Sequence, residues 1–433
     1  MTQAIKFIFS IFLTTSLLFA QDPEVLLSTG ESQLTSGDIE GAEASFNSSL
    51  QIDPSFAPAI QALSKLYLYK GDLKKANEFS IQAVQADEDF RDWANQITKI
   101  TEHIQNGNRN VQQGLFDEAI KEYDAIAQAH PYYPDAEFYK GLSRFHQKNL
   151  EGAAQYFSNA LKIYPAHRKA RKGLDNVTKQ FLNAGNKSYK RGNLGLATDY
   201  YEKALEYDPE FYLAYFQLGV LEKKQGNSRE AIRHLNKVLE LKPDHDKTWF
   251  TLGTAYESDG ENDDAIVHYN KAIEINPGYS KAYGNLGKLH TEKQDFKLAE
   301  DILKTVTQID LNYADGFMRL GVLYIELEKY ELAVDNLAVA TSLDEKDYYK
   351  YFNLASALNQ TKQFDKAAKA AQASVDLKRT FGGGWLELGL AELGRKNKTR
   401  ARKHFEEAKK DRAWREMAER KIDEILNPEK YEK

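Results

Sequence analysis

One residue type keeps time along this chain. Alanine recurs at 42, 76, 119, 153, 197, 231, 265, 299, 333, 367 and 401, thirty-four residues apart at all but two steps. Those two steps are 43 and 44 residues. Proline falls near the same beat, at 54, 131, 165, 209, 243 and 277. A fixed period of this size means copies of one supersecondary unit. Each copy cannot bury its apolar face alone, so neighbours stack. The chain of 433 residues then divides into eleven units, 23–56, 57–90, 100–133, 134–167, 178–211, 212–245, 246–279, 280–313, 314–347, 348–381 and 382–415. Two inserts, 91–99 and 168–177, and a last stretch, 416–433, remain.

Unit 246–279 shows what one copy does. Trp249, Leu252, Gly253 and Tyr256 share one face of a helix at 100° per residue. Gly260, within Ser258-Asp259-Gly260-Glu261-Asn262, breaks the chain at a turn. Ala265, Tyr269 and Ala272 form the apolar stripe of a second helix, which Pro277 ends. Small residues at 253 and 265 allow the two helices a close approach.

Trp-x2-Leu-Gly-x2-Tyr, then Ala-x3-Tyr-x2-Ala, then Pro, at this period, resembles the tetratricopeptide repeat. Neighbouring units carry the same marks: Leu218-Gly219, Ala231 and Pro243; Leu286-Gly287 and Ala299; Leu320-Gly321, Tyr324 and Ala333. The resemblance covers 23–415. It implies an all-α fold, a right-handed superhelical α-solenoid of stacked antiparallel helix pairs. It also implies a concave groove that takes a peptide segment or a partner surface.

The organisation reads as units 1–2 in 21–90, units 3–4 in 100–167 and units 5–11 in 178–415. The inserts 91–99 and 168–177 read as helix extensions of about two to three turns. Residues 416–433, with Trp414 just before them, read as a capping helix and tail. Residues 1–20, MTQAIKFIFSIFLTTSLLFA, have a positive start at Lys6, an apolar run from Phe7 to Phe19 and a small residue at Ala20. That is the pattern of a secretory signal peptide. The run is short for a bilayer span, which needs about 20 residues. An uncleaved anchor is the competing reading.

Composition removes several chemistries. There is no cysteine, so disulfides, thiolate metal sites and Cys nucleophiles are excluded. The net charge of −6 argues against nucleic-acid binding through bulk charge. The sequence holds no catalytic or phosphate-binding motif, and its nine His are scattered singly. No catalytic residue, cofactor or metal site is expected. The glycine run Gly382-Gly383-Gly384 reads as a flexible start to a repeat.

In the resembled family, positions 2, 5, 9, 12 and 13 of each first helix line the groove. Here position 5 is apolar or aromatic in most units. The candidate groove residues are Phe138, Asn186, Tyr189, Phe216, Phe250, Lys288, Met318 and Phe352. Exposed aromatics of this kind anchor interfaces; packed between units, the same rings are core. A carboxylate clamp of Lys and Asn is not expected, because position 5 is apolar. A second candidate is a basic docking patch of Arg395, Lys396, Lys398, Arg400, Arg402 and Lys403. Residues 395–421 hold twelve Lys/Arg and five Asp/Glu. It suits an anionic lipid surface or an acidic partner, or is a solvated face.

The reading is a non-catalytic interaction scaffold, exported to the periplasm or envelope of a bacterium. Its partners are proteins or peptides. A membrane-anchored assembly or secretion factor and an accessory arm of an enzyme complex are the alternatives.

Overall fold

The computed structural model describes residues 22–431. The expected signal peptide, 1–20, lies outside them. The described residues form twenty-three α-helices, with short 3-10 turns and no strand. The fold is an α-solenoid of helix pairs. The chain divides into two compact units, through Gln217 and from Leu218 onward, with the division inside helix Tyr212–Gln225.

The first unit stacks five pairs, from Pro23–Ser36 with Ile39–Ile52 to Arg168–Lys190 with Leu194–Tyr207. Most helices are 13 or 14 residues long. Two are much longer: Arg91–Gln112 has 22 residues and Arg168–Lys190 has 23. Both inserts fall inside these helices. The extra turns of the first bring Trp93 against the preceding pair, where its Nε1 donates to Ser64 Oγ at 2.8 Å. The second starts at a buried polar junction. His167 Nε2 sits 2.8 Å from Asp135 Oδ1, and its Nδ1 caps the amide of Ala170.

The second unit continues through the pairs ending at Gly382–Gly394 with Lys398–Ala408, and helix Arg415–Leu426 closes it. Ala418 and Ile422 of that last helix bury against Leu386, Ala401 and Phe405. Trp249 and Trp385, at the same place in two units, each donate to a carbonyl six residues back, Pro243 and Arg379.

Two rules run through the pairs, the first in all eleven and the second in nine. The residue between the helices is left-handed at each of eleven equivalent positions. Six are glycine, such as Gly260 at φ 80°, and five are not, such as Gln294 at 62° and Glu328 at 56°. The second rule concerns packing. Gly253 is small because Tyr269 lies across it: a Cβ there would stand 2.6 Å from two ring carbons. The same fit joins Gly141 to Phe157, Gly287 to Leu303 and Gly389 to Phe405.

The glycine run at 382–384 is not a flexible lead-in. All three are buried within helix Gly382–Gly394. A Cβ on Gly382 would meet Asp411, and one on Gly383 would meet Phe381 and Trp414.

Candidate functional site

Three successive first helices of the second unit build one pocket. Helix Ser280–Glu292 supplies Lys288, Thr291 and Glu292. Helix Ala314–Glu326 supplies Met318, Arg319, Val322 and Glu326, and Tyr349 comes from the start of Tyr348–Gln360. These side chains enclose about 310 Å³. Each belongs to the helix face turned away from the packing stripe, which is why neighbouring repeats bring them together. Met318 and Val322 give an apolar floor, and two cations and two carboxylates stand around it.

The polar groups are tied into the repeats beneath. Lys288 Nζ donates to Glu257 at 2.8 Å and lies 3.4 Å from Glu292. The bond to Glu257 raises the Lys288 pKa above the usual lysine range despite partial burial. Burial pushes the Glu257 carboxyl up, but bonds from Lys288 and Tyr269 outweigh it and hold the group low. Tyr269 Oη donates to Glu257 at 2.5 Å and accepts from Asn285 Nδ2 at 3.1 Å. Arg319 Nη2 donates to Asn285 Oδ1 at 3.3 Å, while Arg319 Nε is buried without a partner. A half-buried guanidinium held by Asn285 beside an apolar floor suits a peptide. It can meet a carbonyl or carboxylate while Met318 and Val322 take an apolar side chain.

Of the groove candidates, Lys288 and Met318 share this pocket. The others are placed differently. Phe250 is half-buried, with its ring centroid 5.0 Å from Tyr279 and 5.7 Å from Tyr269. Phe138 packs on Phe157 of its own helix pair and on His167, which caps the next helix. Asn186 accepts from Tyr201 Oη at 2.9 Å, so its amide is occupied inside its own pair. Tyr189 and Phe216 are half-buried on their helices. Phe352 requires a correction. It is 8% exposed and sits among Tyr349, Phe381 and Trp414, with centroids 5.2 Å from Phe381 and 5.4 Å from Trp414. It is a core ring that joins the last repeats, not an exposed anchor.

Sequence reasoning missed Arg319, Val322, Glu292, Glu326 and Tyr349. A signal was present: Glu292 and Glu326 stand one period apart on the groove face. The six basic candidates are all exposed. Arg395 pairs with Asp365 and Glu392, each at 3.0 Å. Among the described residues, no group of three or more His, Asp or Glu is placed to hold a metal ion, and no helix is long and apolar enough to cross a membrane.

Tetratricopeptide repeat family profiles match residues 104–168, 200–233, 246–279, 280–313, 314–347 and 351–381, more than half of the chain. The chain is a tetratricopeptide repeat protein. Its stacked pairs form a scaffold for protein–protein contact, the general use of this architecture. Among curated proteins, this repeat protein is similar to human DnaJ homolog subfamily C member 7, 34% identical over 98 residues. The match covers 22% of this chain and 20% of that relative, so the chain spans about a fifth of the relative's length. Among solved structures it is similar to YrrB, a TPR protein with an unusual peptide-binding site. There the identity is 21%, the coverage 43% of this chain and 96% of that one, and the TM-score 0.38. The Cut9–Hcn1 hetero-tetramer of APC/C matches over 96% of this chain and 99% of that one, at 14% identity and TM-score 0.47.

Proposed function

We propose that this tetratricopeptide repeat protein is a non-catalytic scaffold of the cell envelope that holds a peptide segment of a partner in the groove of its second unit. The pocket around Met318, Val322 and Arg319 carries the reading. Its apolar floor takes one side chain of an extended segment. Arg319, half-buried at the pocket and held by Asn285, offers its guanidinium to the segment's backbone or to an acidic side chain. The walls are fixed by the Glu257–Lys288–Tyr269–Asn285 network, so little side-chain freedom is lost on binding. The envelope location rests on the signal-like residues 1–20.

The test is capture of partners from the source envelope by the parent chain and by a Met318→Ala, Val322→Ala variant of equal helicity. A partner held by the parent and lost by the variant supports the groove. Equal capture by both removes it. Sequencing the N-terminus of the native protein tests location. A start at Gln21 supports export with cleavage. An intact Met1 in the membrane fraction supports the second reading, an anchored assembly factor.

A further inference from the structure

The array is charged at its two ends in opposite senses. Residues 22–64 hold seven carboxylates and not one Lys or Arg. Only Glu43 of the seven meets a cation, Lys70 at 2.6 Å. Glu24, Glu31 and Glu40 are exposed. At the other end, Lys396, Lys398, Arg400, Arg402 and Lys403 are exposed, and their side chains make no ion pair or hydrogen bond. Lys398 and Arg400 also occupy the first turn of helix Lys398–Ala408, which holds no acid. Cations there oppose the helix dipole, so local helix stability does not account for them.

Between repeats the charges follow a rule. A base of the later repeat reaches back to an acid of the earlier one: Lys293 to Asp263 at 2.7 Å, Lys329 to Glu300 at 3.1 Å, Arg395 to Asp365 at 3.0 Å. The first pair of the chain repeats it, Lys70 to Glu43. At the ends part of the charge is left over: Glu24, Glu31 and Glu40 of the first repeat meet no base of another repeat, and Lys398, Arg402 and Lys403 of the last meet no acid. The two unmatched sets are opposite in sign.

We infer that the basic end is a docking surface for a second copy of this chain, which seats its acidic first repeat there. Lys398, Arg402 and Lys403 line a cleft of about 340 Å³ with Ile425 and Leu426, and Leu426 is 51% exposed. The contact therefore joins a cationic rim to a small apolar centre. The two surfaces differ, so the contact is head-to-tail and each added copy leaves a free end of each kind. Because the rim is solvent-exposed, association is salt-sensitive.

The test is the mass of the purified protein by sedimentation velocity over a range of concentrations. The full chain and the chain beginning at Gln21 are both run. At about 50 mM NaCl the expected result is a weight-average mass that climbs past twice 49.3 kDa with concentration. At about 500 mM NaCl, where the screening length falls to about 4 Å, the monomer returns. Lys398→Glu with Arg402→Glu and Lys403→Glu gives a monomer. So does Glu24→Lys with Glu31→Lys and Glu40→Lys. Mixing the two variants restores association, because each reversed end now matches the other. All six positions are exposed, and circular dichroism confirms that the variants are folded. A monomer at every concentration in low salt overturns the proposal, as does association that survives both charge reversals. A monomeric chain that instead co-sediments with phosphatidylglycerol vesicles through the basic end also overturns it.

Discussion

Tyr269 lies across the bare Cα of Gly253, so close that a single added methyl would stand 2.6 Å from its ring. The pair is sixteen residues apart in sequence, and the same spacing joins Gly30 to Phe46, Gly185 to Tyr201 and Gly321 to Leu337. Two repeats break the glycine half of the rule and break the large half with it. Ala355 faces the chain position of Ala371, and Ser64 that of Ser80. Where the first residue is larger than glycine, the second is small, so neither pair overfills the space between its helices.

This gives a double-mutant cycle. Gly253→Ala forces the ring aside and is expected to cost about 1–3 kcal/mol. Tyr269→Ala leaves a cavity and costs about 3–5 kcal/mol. The combination reproduces the Ala355 and Ala371 arrangement, so it should cost less than the sum by about 1 kcal/mol or more. Urea denaturation of the four proteins measures it. Strict additivity would show that the two residues do not share one space.

The turn position yields a second prediction. Glu328 and Gln294 hold the left-handed conformation at φ 56° and 62°, where Gly260 stands at 80° in the neighbouring repeat. Glu328→Gly should be neutral or stabilising by up to about 1 kcal/mol, and Gly260→Ala should destabilise by about 1 kcal/mol. Thermal midpoints of the two variants give the signs. A loss of stability in Glu328→Gly would contradict the account.

Lys350 is a third point of dependence. Its side chain is 2% exposed and its ammonium meets Asp347 at 2.7 Å, Asp315 at 2.8 Å and Asp344 at 3.1 Å. Burial lowers its pKa, but the three carboxylates outweigh that and raise it. Lys350→Met leaves three carboxylates facing one another and is expected to cost about 1–3 kcal/mol near neutral pH. The Asp347 carboxyl is held low in the parent, so its contribution is present above the ordinary Asp range and fades as pH falls below it. The gap between parent and variant should therefore close in acid. A gap that stays constant down to about pH 3 would rule out this cause.

Much of this architecture was legible before any coordinates. The alanine beat gives the number of repeats, and Gly253, Gly260 and Pro277 give the pairing of helices. The partner of Gly253 was less legible. It is the ring of Tyr269 and not the small Ala265, because the contact depends on helix tilt, which periodicity does not report. Exposure was harder still. Position 5 holds Phe352 and Met318 alike, yet Phe352 is buried by Phe381 and Trp414, far along the chain, while Met318 lines a pocket. The groove pocket draws on three successive repeats, so no single unit displays it.

Glu387 shows the same limit and supplies a fourth prediction. It is 6% exposed, and Asn359 Nδ2 donates to its carboxylate at 2.8 Å. Burial pushes its pKa up to about 7, with bonds from Asn359 and Ser356 opposing the rise. The folded chain then binds a proton that the unfolded chain has released. Stability should fall as pH rises from about 4.5 to about 7, by about 3 kcal/mol, and then level off. Glu387→Gln should remove that slope. Thermal scans at pH 5 and pH 8 decide it, and an equal slope in both proteins would contradict the assignment.

The groove is the central claim, and site-specific photocrosslinking tests it most directly. A benzophenone amino acid is placed at Val322, inside the pocket, or at Val267, which is 60% exposed on a second helix. Irradiation in the source cells should give a discrete crosslinked partner from position 322 and none from 267, and Met318→Ala should weaken that product. Crosslinking from 267 alone, or from neither, would contradict the claim that the second-unit groove holds the partner.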